Sequence, residues 1–152
     1  MKKIISTLFT TAILITSCTN GNLGSSDSPK TAEELKMELK IQELTTPTKY
    51  LTITGETMKH NLVREAGLFR KAEYDGWIVS GIIKNSATIA KFKDIVLSIT
   101  LLSQTETVIE EKNYVIYEFY ESNSTKQFFI KINPPNATDK FNIIVKDAVA
   151  VD

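Results

Sequence analysis

The sequence predicts a mainly β fold, an antiparallel β-sandwich of about seven strands over residues 49–152, preceded by one short N-terminal helix over residues 31–46. Three observations lead there. Ile95, Leu97, Ile99 and Leu101 alternate with Val96, Ser98, Thr100 and Leu102, the period of two expected of a strand and rich in β-branched side chains. In the preceding run Trp77, Val79 and Ile83 share one face and Ile78 and Ile82 the other, so that strand is covered on both sides. Turn-forming clusters then recur at short intervals, at Asp75-Gly76, Asn85-Ser86-Ala87-Thr88, Ser103 to Glu106 and Asn133-Pro134-Pro135-Asn136. Short strands spaced this way bury one face of each sheet against the other. The stretch Trp77 to Leu102 is therefore expected to supply two adjacent central strands.

Residues 1–17 form no part of that body. Met1-Lys2-Lys3 is a cationic start and Ile4 to Ile15 an apolar run broken by Ser6, Thr7, Thr10 and Thr11, the layout of a secretory leader. It is too short and too polar for a lasting membrane span. The run ends on Ile15-Thr16-Ser17-Cys18, which resembles the bacterial lipobox. The resemblance implies cleavage before Cys18, diacylglycerol on its thiol and acylation of the new amino terminus. A buried methylene contributes about 0.8 kcal/mol, and stable anchoring takes more than one acyl chain, which such a cysteine carries. Thr19 stands where the inner-membrane retention aspartate of that class would be, so attachment to the outer membrane of a cell envelope is expected. Residues 18–30, dominated by Gly, Ser, Asn, Thr and Asp, read as a flexible tether holding the domain roughly 20 Å from the lipid.

Thr31 and Glu34 form a capping box after Pro29, and Ala, Glu, Leu, Lys and Met dominate the next turns. Cap and propensity together favour a helix over the strand spacing that Leu35, Met37, Leu39 and Ile41 also satisfy. On a helix, Ala32, Leu35 and Leu39 make one stripe, available to cover the sandwich. Met37, Ile41 and Leu44 make a second, which would be a surface for another copy, a client protein or a loop of the same domain.

Tyr50 to Thr54 reads as the first strand, closed by Gly55. Glu56 to Gly76 is less regular, with Leu62, Val63, Leu68 and Phe69 among Lys59, His60, Arg64, Arg70 and Lys71, and with Glu56, Glu65, Glu73 and Asp75 interspersed. That mixture reads as a solvated hairpin, although cations near a lipid anchor could also meet anionic headgroups. Thr107 to Ile109, Tyr114 to Tyr120, the alternating run around Phe128, Ile130 and Ile132, and Phe141, Ile143 and Val145 supply the remaining strands.

The run GIIKNSATIAKFKDIVLSIT, with TETVIEEKNYVIYEF and KQFFIKI after it, is similar to FxLYD-type and related immunoglobulin-like domains. It also resembles small envelope lipoproteins with an Asn-x-Ala-Thr-x-Ala-x-Phe/Tyr-Lys-Asp motif, matched here by Asn85, Ala87, Thr88, Ala90, Phe92, Lys93 and Asp94. The match departs from FxLYD proper at Leu102-Ser103, where that family has Tyr-Asp, and at Ser122-Asn123-Ser124, where Pro-Gly is common. The resemblance implies an immunoglobulin-like envelope protein and brings no catalytic residues with it.

Composition narrows the chemistry. Lys plus Arg and Asp plus Glu both number 18, which leaves no basic footprint for nucleic acid. One cysteine and one histidine, His60, exclude an internal disulfide and metal sites built on Cys or His clusters. Glu33-Glu34 and Glu110-Glu111 are neighbours, so each pair splits across two faces of its element, and no phosphate-binding glycine loop is present. No catalytic residue, cofactor or metal is expected, and the oligomeric state is open. The reading that follows is a lipid-anchored module binding or scaffolding another envelope protein. The alternative is a glycan-binding module using exposed aromatics among Trp77, Tyr114, Tyr117, Tyr120 and Phe128.

Overall fold

A computed structural model describes residues 29–151. The segments expected to be the leader, the lipobox-like Ile15 to Cys18 and the tether up to residue 28 lie outside the described residues. Helix α1 spans Ala32–Thr45 and is followed by a short 3-10 turn at Pro47–Lys49. Six strands come next: β1 Leu51–Arg64, β2 Glu73–Asn85, β3 Lys91–Leu102, β4 Val108–Ile116, β5 Thr125–Ile132 and β6 Lys140–Val151. They form two three-stranded antiparallel sheets, ordered β1-β2-β5 and β4-β3-β6. Second strand with fifth and third with sixth is the pairing at the heart of immunoglobulin sandwiches.

Val79 and Ile83 of β2 and Phe128, Ile130 and Ile132 of β5 face Ile95, Leu97, Ile99 and Leu101 of β3 and Ile143 of β6. Gly81 completes the inner face of β2 because a side chain there would meet Phe128, whose Cε1 lies 2.9 Å from the position of a Cβ. The alternation read from β2 and β3 is thus the one that buries the core. These two strands, however, are not hydrogen-bonded neighbours: they lie in different sheets and face each other across the interior. The connection between them changes sheets, and a hairpin turn would not.

Six strands replace the expected seven because Val108 through Ile116 is one continuous strand. The run to Tyr120 does not continue it. The chain leaves the sheet at Tyr117, and Tyr120 returns to exchange both backbone hydrogen bonds with Phe92, at 2.8 and 3.0 Å. β1 is longer than expected for the converse reason. Gly55 adopts φ +65° inside a register shift between Thr54 and Thr57, so it is a bulge in the strand and not its end.

One side chain closes the β2–β3 crossing. Asn85 is fully buried, and its amide nitrogen donates to the carbonyl oxygens of Ala90, Tyr120 and Glu121 at 2.9–3.2 Å. Its Oδ1 accepts the Ala87 N–H at 2.9 Å. The matched motif residues Ala87, Ala90 and Phe92 pack around it, buried. The motif therefore describes a structural joint between two loops.

Candidate functional site

Helix α1 carries the predicted capping box: the Thr31 Oγ1 accepts the Glu34 N–H at 3.2 Å and the Glu34 carboxylate accepts the Thr31 N–H at 2.8 Å. Beyond that start, the helix is held almost wholly by its far end. Glu43, 1% exposed, projects its carboxylate onto the β2–β3 connection. There Oε1 accepts the Thr88 N–H at 2.7 Å, and Oε2 accepts the N–H groups of Ile89 and Ala90, both at 2.8 Å. Burial pushes the Glu43 carboxyl upward, but these three backbone bonds and the Thr88 side chain outweigh it and hold the group below the ordinary carboxylate value. A carboxylate in a ring of successive N–H groups is a charge-assisted clamp. Leu44 packs beside it against the core.

The stripe expected to cover the sandwich lies mostly in solvent, with Leu39 alone half-buried. Leu35, from the stripe assigned to that task, is 52% exposed. Met37 and Ile41 are 65% and 56% exposed, and Leu44 is half-buried. The three residues nevertheless line one shallow apolar groove, with Glu33, Lys36 and Lys40 on its rim and Ile89 of the β2–β3 connection at its base. A fourteen-residue helix is marginal in water by propensity alone, so an arm that docks only through its last turn leaves its apolar surface available.

The aromatics proposed for sugar stacking do not form a platform. Tyr120 and Phe128 are buried, Trp77 and Tyr114 are half-buried against the core, and Tyr117 alone of the five is well exposed. His60 stacks on Trp77, ring centroids 3.7 Å apart, and lies 5.4 Å from the Tyr74 ring. Among the described residues no group of three or more His, Cys, Asp or Glu is placed to hold a metal ion, and no helix is long and apolar enough to cross a membrane.

Sequence reasoning did not single out Glu43. Its only local trace is a charged residue one position before Leu44 on a helix whose polar residues otherwise face water, and the partners it needs lie 45 to 47 residues away. The chain matches no protein-family model, no curated protein and no solved structure.

Proposed function

We propose that this protein is a lipid-anchored, non-catalytic module of a bacterial cell envelope, attached through Cys18 to the outer membrane, whose immunoglobulin-like domain holds another envelope protein. The observation that carries the reading is the mounting of α1. Its end is clamped by Glu43, while Met37 and Ile41 remain open above Ile89. A helix presented with its apolar side outward suits helix-in-groove recognition or packing against a second helix. The charged rim of Glu33, Lys36 and Lys40 would set the orientation of the partner, and the apolar floor would provide most of the affinity. The leader, the lipobox resemblance and the polar tether support the anchor.

The test is a photo-crosslinking amino acid at position 41, with one at Gln42 as a control, in intact cells. A protein adduct formed from position 41 and lost in Met37→Asp is the expected result. The reading fails if no protein is captured at 41 and the purified chain sediments as a monomer.

A further inference from the structure

The β1–β2 hairpin outruns the sandwich. β5 stops pairing with β2 at Trp77↔Ile132, whereas β1 and β2 continue beyond His60↔Trp77 to Arg64↔Glu73, and a tight turn at Gly67–Arg70 closes them. The eight residue steps from His60 to Leu68 carry this two-stranded ribbon roughly 25 Å past the last three-stranded level. Such a ribbon is marginal in water without a third strand or a packing surface. Its base is pinned by the His60–Trp77–Tyr74 ring contacts and by Asn61, whose side chain donates to the Asp75 carbonyl oxygen at 3.0 Å.

The composition of the tip is the reverse of what a solvated turn requires. The two central turn positions hold Leu68 and Phe69, 92% and 96% exposed, where Gly, Asn or Asp would be usual. Leu62 and Val63 are also exposed lower on the ribbon. Around this apolar end stand Arg64, Glu65, Arg70 and Lys71. Glu73 is paired with Arg64 at 3.4 Å and Asp75 with Lys131 at 2.5 Å, while Arg70 and Lys71 have no ion-pair partner among the described residues. Counted together with the exposed Glu65, the unmatched Arg70 and Lys71 leave a net positive charge behind a projecting Leu-Phe pair, which complements an anionic interface with hydrocarbon beneath it.

We propose that the Leu68-Phe69 tip is a membrane-interface wedge that inserts into bilayers carrying anionic lipid, with Arg70 and Lys71 lying at the headgroups. Burial of a Leu or Phe side chain corresponds to a ten- to hundredfold preference, and a cation near an anionic surface to about fivefold. The wedge does not depend on the helix stripe, and it would act as a second contact beside any acyl anchor.

The full chain, reconstituted with vesicles of phosphatidylcholine alone or mixed with phosphatidylglycerol, tests this. Phe69→Trp in a Trp77→Phe background places the reporter at the tip, and bromine-labelled acyl chains quench it only if it is buried. The expected result is blue-shifted, quenched emission on the mixed vesicles. The inserted-to-free ratio should fall about tenfold or more on Leu68→Ser. It should fall by about twenty-fivefold on Arg70→Gln with Lys71→Gln. Water-exposed, unquenched emission on vesicles to which the chain is bound overturns the proposal, as does a tip that becomes shielded only when a protein is added. Repeating the measurement with Cys18→Ala separates the wedge from the anchor. Tip quenching that survives the substitution supports the wedge alone, and flotation with an unquenched tip defeats the wedge alone.

Discussion

Glu43 Oε2 lies 2.8 Å from the backbone nitrogen of Ala90, 47 residues further along the chain, and this contact joins the helix to the sandwich. Glu43→Ala removes the acceptor for three N–H groups in one step. The expected cost is about 2–3 kcal/mol, because hydrogen bonds to a charged group are lost and buried donors are left unpaired. Thermal unfolding together with hydrogen exchange at Thr88, Ile89 and Ala90 checks it: those amides and the α1 amides should lose protection, while the β3 amides keep theirs.

The same carboxylate gives the docking a pH dependence with a definite sign. Its folded-state pKa is depressed below 4.5, so the unfolded chain takes up the proton first as pH falls. The stabilisation is complete above the ordinary carboxylate value and is lost as pH drops through the lower folded value. The protection factors of the α1 amides, with the intrinsic pH dependence of exchange divided out, should therefore be flat above the ordinary carboxylate value and fall as pH drops below it. Glu43→Gln should abolish that dependence.

Asn85→Asp should be worse than Asn85→Ala. The alanine leaves the Ala90 carbonyl and the Ala87 N–H without their partner, while the Tyr120 carbonyl keeps the Phe92 N–H and the Glu121 carbonyl keeps Ser124, at about 2–3 kcal/mol. The aspartate adds a buried charge facing the Ala90, Tyr120 and Glu121 carbonyl oxygens. Urea titration of both variants orders them.

Tyr120 is fully buried, and its hydroxyl has no hydrogen-bond partner among the described residues. Burial, with a smaller contribution from Glu118, pushes its pKa up to about 12. Between about pH 10 and 12 the unfolded chain gives up this proton and the folded chain keeps it, so stability falls with rising pH across that window. Tyr120→Phe should remove the fall and cost less than about 1 kcal/mol at neutral pH, since no hydrogen bond is lost. Ultraviolet titration of the phenolates and denaturation at pH 7 and 11 test both parts.

Gly81→Ala should displace the Phe128 ring, since a Cβ would fall 2.9 Å from Cε1 and 3.0 Å from Cζ. An overpacked core position of this kind costs about 1–3 kcal/mol. The near-ultraviolet spectrum and the denaturation midpoint should change together.

What could be read in advance was whatever is written locally. The inner faces of β2 and β3 follow from alternation, and the start of α1 follows from Thr31 and Glu34. What could not be read depends on distant groups. Asn85 looks like a turn residue until Tyr120 and Glu121 are brought beside it. Gly55 resembles a strand end until β2 is seen to continue past it with the bulge absorbed. Tyr120 and Phe128 alternate in strand-like runs, as exposed aromatics would, and only the sheet pairing shows that they point inward. For the candidate surface, the Met37–Ile41–Leu44 stripe was legible from helical spacing, but its exposure was not, since that depends on α1 docking through Glu43.

The β2–β3 connection is gripped from two sides, by Asn85 from within and by Glu43 from the helix. Tension entering along the N-terminal segment therefore converges on the Thr88–Ala90 backbone before it loads either sheet. Helix α1 would peel away first and yield its length as slack, sparing the sandwich, and it could snap back onto the same three amides once the load is released.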